Sequence, residues 1–322
     1  MSFLSIKNLS TSFQIKKNIT PILLGLSYSI NEGEILGIVG ESGSGKTISV
    51  LTMLGLIPDR GYRINSGEII FSGKELLDQS DNELRDIRGK DITMIFQDSL
   101  SALNPYLTIR TQLMEALSRS GLSKHEKLEK CIDMLKWVGF SDAEEKINSY
   151  PFELSGGMRQ RISIAMALLP EPRLIIADEP TSSIDATLSK QILSLFKKIN
   201  REKKISIIFI SHNFSHVAFI SDKILVMYGG RAMEIGAAKD ILTGAAHPYT
   251  RALLDSIPLA GRSITSLPFI PGDPPDLKEI GKDACPFYPR CKFTSDECRT
   301  SFPEKVIIND KEIYCHHPLN QS

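Results

Sequence analysis

Residues Gly40 to Thr47 read Gly-Glu-Ser-Gly-Ser-Gly-Lys-Thr, the spacing G-x-x-x-x-G-K-[ST] that lets a backbone loop cradle phosphate. Gly40 and Ser42 open the loop. Gly43 and Gly45 let its N–H groups turn inward on phosphate oxygens, and a following helix start adds a favourable partial charge. Lys46 then reaches the β- and γ-phosphates, and the Thr47 hydroxyl is a ligand for Mg²⁺. The apolar run Ile35–Val39 before the loop predicts a buried strand, and Ile48–Leu54 after it predicts a helix. A glycine-rich turn with an unrelated lysine would need neither flank.

A second constellation is Leu174-Ile175-Ile176-Ala177-Asp178-Glu179-Pro180, apolar residues ending in two acids. It reads as a buried parallel strand whose C-terminal end, where open α/β sheets bind ligands, carries carboxylates. Asp178 suits the Mg²⁺ shell. Glu179 suits a general base that polarises the water attacking a γ-phosphate. Alone, such a pair is equally an ordinary solvated strand end. A third is Leu154-Ser155-Gly156-Gly157-Met158-Arg159-Gln160-Arg161, in which Ser155, Gly156 and Gly157 open a helix that continues through Gln160–Leu169 and stops at Pro170. A hydroxyl and backbone N–H groups at a helix start form an anion site. One nucleotide needs one cradle, so a second suggests phosphate gripped from two sides by two chains.

With these three motifs the sequence resembles the ATP-binding-cassette (ABC) ATPases, whose signature is L-S-G-G-x. The resemblance implies further assignments. Gln97, in Met94-Ile95-Phe96-Gln97-Asp98, resembles the Q-loop glutamine that contacts Mg²⁺ and senses the γ-phosphate. Asp185, in Ser182-Ser183-Ile184-Asp185, matches the D-loop that crosses the dimer interface. His212, after the apolar run Ile205–Ser211, matches the switch histidine. Phe13 is the candidate for the aromatic that stacks on adenine. Two positions depart from the family pattern: Asn213 follows the histidine where Asp is common, and the D-loop reads Ser-Ser-Ile-Asp. Neither departure removes a group assigned to chemistry.

The implied fold is α/β, a P-loop NTPase of the ABC ATPase type with an antiparallel β subdomain, a helical subdomain and a small irregular C-terminal extension. Residues 1–244 are expected to form the ATPase domain, with helices over about 98–165, and 245–322 the extension. The alternating segment Ser66–Gly73 suits antiparallel strands. Leu113, Met114, Ala116 and Leu117 share one helical face, and Leu128, Cys131, Met134, Leu135 and Val138 another. In the family this helical region carries the groove for a membrane subunit. Strand–helix alternation over 166–235 predicts a parallel sheet.

The 322 residues, 42% hydrophobic, suffice for one large domain and a smaller piece. With 38 basic and 38 acidic residues there is no electrostatic footprint for nucleic acid. No run approaches the roughly 18 to 20 apolar residues that span a bilayer, and the start Met1–Lys7 lacks signal-peptide character. The expectation is a cytosolic chain that meets the membrane through a partner.

From about 245 the prolines cluster (Pro258, Pro268, Pro271, Pro274, Pro275, Pro286, Pro289) and four of the five cysteines appear. His247-Pro248-Tyr249-Thr250-Arg251-Ala252-Leu253-Leu254, then Ile270-Pro271-Gly272-Asp273-Pro274-Pro275, then Cys285-Pro286-Phe287-Tyr288-Pro289-Arg290-Cys291 resemble, in that order, the C-terminal extension of oligopeptide/dipeptide importer ATPases. Cys285, Cys291, Cys298 and Cys315 are separated by five, six and sixteen residues. A disulfide framework does not suit a cytosolic chain, and the tight Cys pair of most zinc sites is absent. Four thiolates in a stretch poor in apolar residues suggest a [4Fe–4S] cluster, as some members of the matched family carry, with zinc or free thiols as alternatives. Cys131 reads as a core residue, and His316 and His317 as surface residues beside Cys315.

The resemblance implies an ATP-hydrolysing subunit that powers a peptide-class importer from the cytoplasmic face of the membrane. Its partners would be a homologous second ATPase, two transmembrane permeases and an extracytoplasmic peptide-binding protein. A soluble ABC ATPase of DNA repair or translation is the alternative. Against it stand the 56 residues between Gln97 and Leu154, without heptads, and the single phosphate loop. An importer for nickel or glutathione is a further alternative, because an ATPase does not choose the cargo.

Overall fold

A computed structural model describes residues 2–16, 18–57, 60–97, 103–182, 184–257, 269–274 and 280–319. Asp98, Ser183, Pro258, Pro268 and Pro275 lie outside the described residues. Contacts divide the chain into two compact units, Met1–Gln79 with Ile210–Ser322, and Ser80–Phe209.

The first unit begins with β1 (Leu4–Ile15), β2 (Asn18–Ile30), β3 (Ile35–Val39), α1 (Lys46–Met53), β4 (Tyr62–Phe71) and β5 (Lys74–Glu75). Four of these strands form an antiparallel sheet in the order β2-β1-β4-β5. Its register sets Leu4 opposite Ile30, Ile6 opposite Tyr28 and Leu9 opposite Leu26, all buried. The step from Ile6 to Leu9 breaks strict alternation. Asn8, at φ +48°, forms an irregularity there that returns Leu9 to the core face. All five residues of β3 are buried, as its unbroken apolar run requires.

The second unit contains α2 (Asp81–Ile87), β6 (Ile92–Ile95), α3 (Ile109–Ala116), α4 (Lys124–Trp137), α5 (Ala143–Lys146), α6 (Gly156–Leu168), β7 (Leu174–Asp178), α7 (Ala186–Lys203) and β8 (Ser206–Ser211), the last at its junction with the first. Its strands lie in the order β8-β7-β6, with β6 and β7 parallel and Ile95 opposite Ala177. Ser80 and Ser123 form capping boxes with Glu83 and Glu126, which fixes where α2 and α4 start. Helices α3, α4 and α6 pack on one another through Leu113, Cys131, Leu135 and Ile162, each fully buried. Cys131 is therefore core.

The first unit resumes with α8 (Phe214–Ile220), β9 (Lys223–Tyr228), β10 (Arg231–Ala237), α9 (Ala238–Gly244), α10 (Pro248–Asp255), α11 (Asp296–Thr300), β11 (Val306–Ile308) and β12 (Lys311–Ile313). Strand order is β11-β12-β10-β9-β3, with β3 and β9 parallel and the rest antiparallel. The late hairpin β11–β12 thus extends the sheet that carries the phosphate loop. Two features bind the late residues to this sheet. The Lys311 ammonium lies 3.2 Å from the Glu234 carboxylate with both side chains buried. Phe287 joins Tyr228 and Tyr249 in an aromatic cluster with ring centroids 4.6 to 5.3 Å apart. The extension borrows its core from β9 and β10.

Candidate nucleotide-binding and hydrolysis site

In the first unit Gly40–Thr47 links β3 to α1. Gly43 (φ +78°) and Gly45 (φ +94°) take left-handed backbone conformations that side chains resist, which is what the tight loop requires. Gly45 is the N-cap of α1 and offers no side-chain acceptor. An anion is therefore the capping group this helix start suits. Lys46 folds back over the loop, its Nζ donating to the carbonyls of Gly40 (2.8 Å) and Glu41 (2.9 Å). Ser42 and Thr47 lie in the same turn and helix start.

Phe13, half-buried on β1, meets Tyr62 of β4 edge-to-face at 5.2 Å between centroids. The register sets these two rings opposite each other, and the Tyr62 hydroxyl is 2.5 Å from Thr52 Oγ1 on α1. Tyr62 was not recognised from sequence. Its signal was an aromatic at the start of the strand that pairs with Phe13. His212 is exposed just past β8. The Asn213 side chain accepts N–H bonds from Ser215 (3.0 Å) and His216 (3.4 Å), capping α8. That cap needs only a side-chain oxygen, which Asn supplies as well as Asp.

In the second unit Asp178 ends β7 and is buried. Glu179 takes φ +50°, a conformation costly for a residue with a side chain and one that marks functional turns. The Ser182 N–H (3.2 Å) and hydroxyl (3.0 Å) close that turn on the Glu179 carbonyl. Gln97 is exposed two residues past β6. Because β6 and β7 run parallel, Gln97, Asp178 and Glu179 share one C-terminal sheet edge. Gln97 and Asp178 offer amide and carboxylate oxygens there, and in the first unit Thr47 offers a hydroxyl at the start of α1; each is an oxygen donor of the kind Mg²⁺ takes.

Ser155 caps α6, its hydroxyl accepting the Met158 N–H at 3.3 Å. Asp185 caps α7, accepting from Thr187 (2.9 Å) and Leu188 (3.0 Å). The two helix starts are neighbours, since a Cβ on Gly157 would meet Leu188. Gly156 differs. Its φ is ordinary and, among the described residues, nothing lies within 4 Å of where its Cβ would stand, so the described fold gives no reason for a glycine there.

The four late cysteines occupy one neighbourhood. The Cys285 N–H donates to the Cys298 carbonyl at 2.9 Å. Burial, reinforced by the other thiols nearby, pushes the Cys285 and Cys315 thiols up to about 12. The expected metal centre is nevertheless not formed as a ligand set: among the described residues no three His, Cys, Asp or Glu side chains are grouped to hold a metal ion. Three of the sulfurs have local hydrogen-bond partners. Cys291 Sγ faces the Phe293 N–H (3.4 Å), Cys315 Sγ the His317 N–H (3.3 Å) and Cys298 Sγ the Ser295 hydroxyl (3.5 Å). His316 pairs with Glu297 (3.3 Å) and His317 with Ser295 (2.8 Å).

The His-Pro-Tyr segment acquires a physical role. His247 Nδ1 accepts the Tyr249 N–H (3.0 Å) and caps α10, and burial lowers its pKa to about 3, so the ring is neutral. Pro248 takes the first helical position, where a missing N–H costs nothing. The Tyr249 hydroxyl then accepts the N–H of Glu41 in the phosphate loop at 3.0 Å.

Comparison with known proteins agrees with these motifs. Residues 23–182 match the ABC transporter family, and residues 233–298 match the family described as oligopeptide/dipeptide transporter, C-terminal region. The dipeptide transport ATP-binding protein DppD of Bacillus subtilis is 44% identical over 95% of this chain and 92% of its own length. The oligopeptide transport ATP-binding protein OppD of Escherichia coli is 40% identical over 99% and 94%. Among solved structures, the dimeric ATP-binding cassette MJ0796 in a post-hydrolysis state with ADP and Pi is 28% identical with a TM-score of 0.65, covering 73% of this chain and 98% of that one. The chain belongs to the oligopeptide/dipeptide branch of the ABC transporter ATP-binding proteins.

Proposed function

We infer that this chain is the ATP-hydrolysing subunit of a peptide-class ABC importer. The reading rests above all on two glycine-rich helix starts in one chain: a phosphate loop, and a signature turn whose Gly156 has open space that its own fold does not use. The relatives are named for dipeptide and oligopeptide transport, which supports peptides as the cargo class. Gly40, Ser42, Gly43, Gly45 and Lys46 hold the β- and γ-phosphates, and Phe13 supports the adenine. Thr47, Gln97 and Asp178 hold Mg²⁺, which neutralises phosphate charge when bound. Glu179 orients and deprotonates the attacking water, and His212 steadies the γ-phosphate. Ser155, Gly156 and Gly157, with Asp185, complete the ATP site of a second, homologous ATPase, whose signature completes this one.

Two permeases and an extracytoplasmic peptide-binding protein complete the importer, with this chain on the cytoplasmic face of the membrane. Among the described residues no helix is long and apolar enough to cross a membrane. The test is ATP hydrolysis by the reconstituted importer. Cargo-loaded binding protein is expected to stimulate it, Lys46→Ala to abolish ATP binding, and nucleic acid to have no effect. Stimulation by DNA or RNA instead of peptide would overturn the reading.

For the extension, the finer proposal is that the four cysteines bind a [4Fe–4S] cluster, with zinc as the second reading. Their shared neighbourhood and all-sulfur donor set support it. Anaerobically purified protein should carry about four iron per chain. Stoichiometric zinc would select the second reading, and metal-free protein would remove both.

A further inference from the structure

Glu41 supplies the one carboxylate within Gly40–Thr47, a loop whose task is to receive a polyanion. The structure gives that carboxylate a dedicated partner from far along the chain. Arg290 Nη1 donates to Glu41 Oε2 at 2.7 Å, with the arginine side chain 6% and the glutamate 23% exposed. The guanidinium is itself held on every side. Nη1 also donates to the Tyr228 hydroxyl (2.9 Å), Nε to the Pro271 carbonyl (2.9 Å) and Nη2 to the Ile270 carbonyl (3.1 Å). These bonds use the planar fork that distinguishes arginine from lysine. The backbone of Glu41 is held as well. Its N–H goes to the Tyr249 hydroxyl (3.0 Å), and its carbonyl accepts Lys46 Nζ (2.9 Å). Two residues of the C-terminal extension and the loop's own lysine therefore meet on one residue.

We propose that Arg290 and Tyr249 are positioning residues through which the C-terminal extension sets the affinity of the phosphate loop for ATP, acting through Glu41. Arg290 cancels a charge that would otherwise repel the incoming phosphates and attract Lys46 away from them. Tyr249 fixes the peptide plane whose neighbouring carbonyl seats Lys46. The extension is thereby part of the nucleotide site's support, whatever else it docks. The proposal rests on the reading of Gly40–Thr47 as the phosphate cradle.

The test is equilibrium binding of a fluorescent ATP analogue to the full-length chain. An uncompensated charge within roughly 10 Å of the phosphates, at partly buried dielectric, weakens binding by about tenfold, the loss expected for Arg290→Gln. A merely structural defect would be indifferent to the charge at position 41. Here Glu41→Gln in the Arg290→Gln background should recover at least about threefold of the loss. Arg290→Lys, which keeps the charge, should stay within about threefold of wild type, and Tyr249→Phe should weaken binding about threefold. If Arg290→Gln fails to fold, the Tyr249→Phe and Arg290→Lys measurements carry the test, and wild-type affinity in Tyr249→Phe or a loss beyond about tenfold in Arg290→Lys then overturns the proposal. Wild-type affinity in Arg290→Gln, or a double variant as weak as Arg290→Gln, overturns the proposal. Lys46→Ala separates the two levels. Loss there with none in Arg290→Gln overturns the positioning role alone, and loss in neither overturns the phosphate cradle as well.

Discussion

The buried pair Glu234–Lys311 predicts how firmly the extension is held. Both side chains are sequestered, at 0% and 3% exposure, with 3.2 Å between charges. The glutamate also accepts the N–H groups of Ala246 and His247, each at 2.9 Å, just before α10, and the lysine donates to the Gly244 carbonyl. One pair thus joins β10, the turn into α10 and β12. Lys311→Met removes the cation and leaves a buried carboxylate with two N–H donors. Breaking such a pair from one side costs about 3–5 kcal/mol, and the two remaining charge-assisted bonds place this case near 3. Lys311→Met with Glu234→Gln removes both charges and is expected to cost about 1–2 kcal/mol, well below the sum of the single variants. Fluorescence of Trp137 would follow the second unit, where that residue lies, so amide hydrogen exchange of β12 is the better assay. At about 1.4 kcal/mol per tenfold, exchange in Lys311→Met should accelerate roughly a hundredfold. A change below about fivefold, or strict additivity in the double variant, would refute the reasoning.

Two other outcomes follow from the same geometry. His247 is protonated more readily in the unfolded chain (ordinary value 6.5) than in the folded one (about 3). Its contribution is therefore fully present above pH 6.5 and is lost as the pH falls from there toward 3. Between pH 7 and 5 wild type should lose about 2 kcal/mol more than His247→Asn, which retains a capping oxygen, in the unfolding free energy of the first unit; parallel pH profiles would exclude this. Ser155→Arg in a mixed dimer should disable the ATP site that holds the partner's phosphate loop and spare the one containing Lys46 of the same chain. Photolabelling of each site reads this directly, and the reverse pattern would rule out pairing in trans.

What could be read from the residues divides by distance along the chain. The phosphate loop, the acid-tipped β7 and the start of α6 follow from local rules: apolar runs of strand length, glycines at positive φ, a serine cap. The helix that Ser155, Gly156 and Gly157 were expected to open runs from Gly156 to Leu168, with Ser155 as its cap. Tyr62 and Arg290 were not legible. The first becomes an aromatic partner only through the β1–β4 register, and the second meets Glu41 across 249 residues of sequence. Glu234 and Lys311 look like ordinary surface charges in sequence and prove to be core. The cysteine spacing foretold proximity, which the Cys285 N–H bond to the Cys298 carbonyl shows; the geometry of a ligand set was not legible in spacing alone.

The central claim is that Glu179 activates water at an ATP site of this chain. Phosphate release at saturating Mg·ATP, measured in parallel with ATP binding for wild type and Glu179→Gln, tests it most directly. The account predicts that the variant binds ATP while hydrolysis falls on the order of 10²–10⁴-fold; near-normal phosphate release would contradict it.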